Sequence, residues 1–338
     1  MNKIVVIVLM GAIIVAAVAG AMLYKPTETK AKIGYLPAAS YSLLWVAYEK
    51  GYFADEGLEI TLVEFQNVGQ LVTALAQGTV QGAPLTSVAI AAFSKSVDFR
   101  IVAGNSLDGT ALVTKNDSNV QDLSDLEGMR VGTVLQVPGD FVFKKILKDM
   151  EINVTYSEYL TPADALIALE QNQVNASLLW EPYSSLSVYK GLNLAVWDKD
   201  IYPADYPCCL QVFSTSFAKA NPELIQKFIK ALIKAEVFAY AHSDTSLPMV
   251  KKYMPSIPFE IIYDSVFYID PGLGRARNPI SAYINTSELT SFWQLLVPSL
   301  LTQNDYNNLI SKIDLSYFQV AVNDLKSVGF KLPQKYGS

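Results

Sequence analysis

Histidine is nearly absent from this 338-residue chain: there is one, His242, beside two cysteines, Cys208 and Cys209. A metal centre that repeats His and Cys at ligand spacing is therefore a poor first reading. The two cysteines are adjacent and cannot staple distant elements. They read as small buried side chains beside a strand, with a strained vicinal disulfide as the alternative in an oxidising compartment. Arginine is also scarce, with Arg100, Arg130, Arg275 and Arg277 only. No basic block exists and the formal net charge is −6, which argues against nucleic acid as a partner. There is no G-x-S-x-G, no P-loop and no repeated metal spacing. Catalytic residues, metal and cofactor are thus all expected to be missing. His242 follows an alanine-rich stretch and reads as a helix C-terminal cap, where positive charge suits the dipole.

The start of the chain is strongly patterned. Met1-Asn2-Lys3 carries one positive charge, and Ile4–Leu23 then runs apolar without charge or proline. Lys25-Pro26-Thr27-Glu28-Thr29-Lys30 follows as a polar tether. About twenty apolar residues suffice to cross the hydrocarbon core as a helix. Ala17, Ala19 and Ala21 also permit signal cleavage. Residues 4–23 are therefore expected to be an N-terminal membrane anchor or a cleaved signal, with the rest outside the cytoplasm. About 300 residues then remain, more than one core holds comfortably, so two lobes are expected.

Beyond the tether, strand and helix patterns alternate. Lys32–Leu36, Leu58–Phe65, Val80–Ala83 and Phe99–Gly104 read as strands, separated by helices at Ser42–Lys50, Val68–Gln77 and Ser87–Ser94. The pattern restarts at Ala111–Lys115 and continues through strands Arg130–Thr133, Tyr156–Leu160 and Ala176–Leu179, with helices at Asp140–Met150 and Pro162–Gln171. Strands separated by helices of this length mean βαβ units and mostly parallel sheets. From Pro222 onward the pattern is helical. The expected division is 1–30 anchor or signal, 31–110 first lobe, 111–215 second lobe and 216–338 helical return onto the first. Strand crossings between the lobes are expected near Thr110–Lys115 and Gln211–Ser216. A cleft between two lobes suits a ligand that closes a hinge.

Four motifs carry a family resemblance. Ala47-Tyr48-Glu49-Lys50-Gly51-Tyr52-Phe53-Ala54-Asp55-Glu56-Gly57-Leu58-Glu59-Ile60 resembles the "A-x-E-K-G-Y-F-x-x-E-G-L-x-(V/I)" signature of extracytoplasmic solute-binding proteins. That family serves importers of nitrate, sulfonates, taurine and thiamine precursors. Ala74–Gln81, Asp122–Gly132 and Ala165–Ala176 resemble three further family motifs in the same order. The last leads into Trp180-Glu181-Pro182-Tyr183, similar to "W-(E/D)-P-(Y/F)". The chain departs from the pattern at Gln81 and Asn175, where Asp is usual, and at Asn172, where Gly is usual.

The resemblance implies a periplasmic-binding-protein-like fold of type II with a helical C-terminal tail. It also implies a monomer that captures a small-molecule solute and delivers it to ABC permease and ATPase subunits. A membrane-tethered sensor using the same cleft is the alternative. The family's fold also serves a thiamine-pyrimidine synthase that consumes its own histidine and uses pyridoxal phosphate, which suits an exported chain with one histidine poorly.

A small anionic head can be held by backbone N–H groups at helix starts without arginine. Three such openings follow strand ends, where parallel sheets bind ligands. They are Ala38-Ala39-Ser40-Tyr41-Ser42, Pro84-Leu85-Thr86-Ser87 and Val137-Pro138-Gly139-Asp140. The candidate ligand-binding residues are therefore Ser40, Tyr41, Ser42, Thr86, Ser87, Gly139 and Asp140. Asn105, near the first crossing, joins them, with Trp180, Glu181 and Tyr183 as an aromatic wall around a carboxylate. Each Ser or Thr is equally a plain helix cap, and Asp140 equally a cap of its own helix. Cys208 and Cys209 are placed to line the hinge. The loop Gly272–Asn278, with Arg275 and Arg277, reads as a solvated turn, or else as a ligand or membrane-partner contact.

Overall fold

The computed structural model describes residues 29–135, 138–202, 205–271 and 274–337. The anchor or signal expected at 4–23 lies outside the described residues, as does Val137. Among the described residues no helix is long and apolar enough to cross a membrane.

Among the described residues, ten strands form two five-stranded sheets. The first contains β1 (Lys30–Tyr35), β2 (Glu59–Glu64), β3 (Gly82–Thr86), β4 (Phe99–Leu107) and β10 (Pro207–Ser214), in the order β2-β1-β3-β10-β4. The second contains β5 (Thr110–Thr114), β6 (Arg130–Val134), β7 (Thr155–Tyr159), β8 (Ala176–Trp180) and β9 (Asn193–Trp197), in the order β7-β6-β8-β5-β9. Both sheets are mixed but mostly parallel, with four of the five strands in each running the same way. β1 pairs in parallel with β2 and β3, and β6 with β7 and β8, as βαβ connection requires. The strand delivered by each crossing runs the other way: β10 is antiparallel to β3 and β4, and β5 to β8 and β9.

The crossings also differ in position from the expectation. The chain leaves the first sheet between Leu107 and Thr110 and returns between Trp197 and Pro207. β10 thus belongs to the first sheet, although periodicity along the chain had grouped it with the second half. The two crossings brace one another. Asp198 Oδ2 accepts the N–H groups of Gly109 (2.6 Å) and Thr110 (3.2 Å). Asp108 Oδ1 accepts the Tyr206 N–H (3.1 Å), and the Tyr206 hydroxyl donates to Thr110 Oγ1 (3.0 Å).

Local chemistry starts the helices where they are. Asn67, Thr86 and Thr161 cap the helices Val68–Ala76, Ser87–Phe93 and Pro162–Glu170, each accepting the N–H three residues on. Pro162 follows its cap at the first helical position, where its missing N–H costs nothing. The helix Pro222–Ala241 buries Leu224, Ile225, Phe228, Ile229 and Leu232, a stripe with helical spacing. That stripe packs on the helices Ser42–Glu49 and Ser316–Ser327, beside the first sheet. Trp45 lies fully buried and stacks on Tyr253 (centroids 4.8 Å apart). Each such side chain contributes roughly 1.5–3 kcal/mol by leaving water.

Candidate functional site

A cavity of about 440 Å³ opens between the two sheets. Its wall is built almost wholly from residues that follow strand ends. Leu36, Pro37 and Ala38 follow β1, Gln66 and Asn67 follow β2, and Thr86 ends β3. Asp108 and Gly109 follow β4, Leu135 follows β6, Leu160 and Thr161 follow β7, and Trp180 and Glu181 close β8. Cys208 and Cys209 come from the start of the antiparallel β10, which lies at the same edge. This is where an α/β sheet places a ligand, because the helices covering it begin there.

Of the candidates from sequence, Ser40, Tyr41, Thr86, Trp180, Glu181 and Tyr183 line the cavity. The Tyr41 hydroxyl is committed to the Pro84 carbonyl (3.2 Å), so this residue presents its ring. The other five are not among the lining residues. Ser42 turns its hydroxyl back to the Ala39 carbonyl (2.7 Å). Ser87 is fully buried behind Thr86, its carbonyl receiving the Trp293 indole N–H (3.0 Å). Asn105 is also fully buried and works as a clamp: its amide donates to the Ser40 carbonyl (2.5 Å) and its oxygen accepts from Gln211 (2.8 Å). It shapes the Ser40 turn from behind. Gly139 packs against the Thr110 side chain, leaving no room for a Cβ. Asp140, in the first turn of its helix, pairs with Lys144 one helical turn on (3.1 Å) and is not a cavity residue.

The Arg275 and Arg277 side chains are not left in solvent, as a solvated turn would leave them. Arg275 reaches Asp108 Oδ2 (2.6 Å), and Arg277 lies over the Trp197 ring (4.7 Å) while donating to Ser185 Oγ (3.1 Å). Burial supplies the setting: Asp108 sits at the floor with no exposed side-chain surface, where a nearby cation offsets part of the cost of its charge. Lys199 gives it a second, at 3.6 Å. Even so, burial and the charge of Asp198 push the Asp108 carboxyl up to about 7. Asp198 is likewise raised by burial.

Glu181 is 1% exposed and is held by hydroxyls. Its oxygens accept from Ser185 Oγ (2.9 Å) and Ser265 Oγ (2.8 Å), and burial pushes its carboxyl up. Ser265 belongs to the helix Phe259–Val266 of the C-terminal part, so Glu181 ties β8 to that part. The cysteines are free thiols with sulfurs 3.7 Å apart. The hydrogen bond between them and burial raise the Cys208 thiol, while the same bond lowers Cys209.

The cavity thus combines apolar and aromatic walls with several helix starts, and among the described residues no lysine or arginine lines it. It suits a ligand with an organic body and a small head that backbone N–H groups can hold. Leu36, Asn67, Leu160, Thr161 and Asn278 were not singled out from sequence, yet they line it. Asn67 and Thr161 carried a readable signal as caps directly after strands.

Residues 24–249 match the model of the NMT1-like family. A Bacillus subtilis protein named as an aliphatic sulfonates-binding protein is 29% identical over 219 residues, 61% of this chain and 64% of its own length, so the match spans just under two thirds of that relative. An Aspergillus parasiticus 4-amino-5-hydroxymethyl-2-methylpyrimidine phosphate synthase is 26% identical over 223 residues, covering 59% of this chain and 62% of the enzyme. Among solved structures, the periplasmic nitrate-binding protein NrtA from Synechocystis superposes with a TM-score of 0.74 at 15% identity, covering 93% of each chain, which shows a shared fold. The family match extends over more than half of the sequence, from the tether through both sheets, and the chain belongs to the NMT1-like family.

Proposed function

We propose that this protein is the extracytoplasmic solute-binding subunit of an ABC importer, held at the membrane by residues 4–23 and acting as a monomer. It captures a small organic solute between two lobes, with the C-terminal helices returning to the first, and presents it to permease subunits powered by an ATPase. The observation that carries this reading is the 440 Å³ cavity, walled from both sheets at the strand ends. The sulfonate- and nitrate-binding relatives support it. The wall favours a solute with an alkyl or flat ring body. Leu36, Leu135, Leu160 and Trp180 cover such a body, and the helix starts at Ala38–Tyr41 and Thr86 face its sulfonate-like or polar head. A four-atom inorganic anion leaves most of this apolar wall uncovered.

The protein acts by binding rather than turnover. His242, the single histidine, ends the helix Pro222–Ala241 and is not a cavity residue, so a synthase that consumes its own histidine has none at hand. Calorimetry against alkyl and aromatic sulfonates, taurine, nitrate and hydroxymethylpyrimidine tests the reading. A micromolar or tighter organic member, with compaction in X-ray scattering, is the expected result. No heat from any member and no compaction would overturn it.

A further inference from the structure

We propose that Cys208 and Cys209 form a dithiol site in the cavity wall for a soft, thiophilic centre, either a trivalent arsenical or a monovalent soft metal ion. Consecutive side chains of a regular strand point to opposite faces. Here the pairing of β10 with β4 passes from Pro207 to Cys209 and shifts again before Leu210. This irregularity leaves Cys208 out of the ladder and brings both sulfurs to one side, 3.7 Å apart, with both residues on the cavity wall. The Ser106 hydroxyl, buried and without a conventional hydrogen bond, lies beside both thiols.

The chemistry is selective. Thiolate pairs favour soft centres over hard cations. Among the described residues no group of three or more His, Cys, Asp or Glu can hold a metal ion, so a four-coordinate zinc site is not on offer and a two-sulfur site is. With an arsenoxide, two As–S bonds form and the As–O bond is broken. The oxygen leaves as water with the two thiol protons, and arsenic keeps its oxidation state. A soft ion binds with release of two protons. The site needs only the cavity wall and is independent of the solute-import reading.

The test uses the full chain, reduced and freed of reductant. Phenylarsine oxide is expected to give a single adduct by intact mass and to remove both titratable thiols together. A dithiol such as 2,3-dimercaptopropanol is expected to reverse it where an equal concentration of monothiol does not. Cu(I), in anaerobic competition with bathocuproine disulfonate, tests the metal arm. Cys208→Ser and Cys209→Ser are each expected to weaken both probes by about 100-fold, the low end of the gain from making a second attachment intramolecular. Their circular dichroism should match the parent. Failure of both probes to bind the reduced parent, two arsenicals per chain, or unchanged affinity in either variant would overturn the proposal.

Discussion

Asp108→Asn should make the protein more stable at alkaline pH, although it removes one partner of a buried ion pair. The Asp108 side chain has no exposed surface. Its carboxyl is pushed from the usual 3.8 to about 7 by burial and by Asp198, against the pull of Arg275, Lys199 and the Tyr206 N–H. The folded state therefore holds this proton more tightly than the unfolded state. An acid raised on folding contributes its stability fully below the unfolded pKa and loses it as pH rises to the folded one. The loss runs from about pH 4 to about pH 7. At about 1.4 kcal/mol per pH unit it amounts to about 4 kcal/mol.

Asparagine keeps the size and the acceptor oxygen for the Tyr206 N–H but cannot ionise. It also tolerates the positive φ of 46° at this position. At pH 4 the variant and the parent should unfold in urea within about 1 kcal/mol of each other, since both then carry a neutral side chain. By pH 8 the variant should lead by several kcal/mol. Asp198 reinforces the trend, because the two carboxyls repel and the removal of one eases the other. Urea midpoints at several pH values between 4 and 8 give the difference directly. A difference that stays constant across that range, or that falls with pH, would refute the reasoning.

Three further outcomes are expected. Trp180→Ala should weaken the best solute about tenfold in calorimetry, about 1.4 kcal/mol for a lost aromatic contact, with far-ultraviolet dichroism unchanged. Ser265→Ala removes the hydroxyl that donates to Glu181 and should cost about 1–3 kcal/mol in urea unfolding, because a buried carboxyl loses a partner. Gly104→Val should abolish soluble expression or lower stability by more than about 3 kcal/mol, since its Cβ would overlap the carbonyl oxygens of Tyr283 and Ser281, which are backbone and cannot swing away.

Particular residues show how far reading the chain reaches. Thr86 was legible twice over, as a hydroxyl ending a strand and as a cap opening a helix, and it lines the cavity. Ser42 and Ser87 carried the same kind of signal one residue further along. Both are turned into protein, because successive positions at a helix start lie about 100° apart around its axis. Asn105 was legible as a polar residue near the crossing. That it grips the Ser40 carbonyl from behind required the first sheet to be folded. Arg275 and Asp108 are 167 positions apart, and nothing local to either marks the other as its partner.

By itself, the order of residues determined the alternation of strand and helix, the two α/β halves, the helical C-terminal stretch and the strand ends where a ligand would meet helix starts. These follow from periodicity, caps and turn residues, which act over a few positions. Tertiary structure decided the rest. It reversed the crossing strands and so mixed the sheets, moved β10 into the first, chose which hydroxyls face the cavity, drew Arg275 onto a buried carboxyl and set two thiols side by side. Those outcomes depend on contacts between segments far apart in the chain, where packing and desolvation, rather than local preference, select the partner.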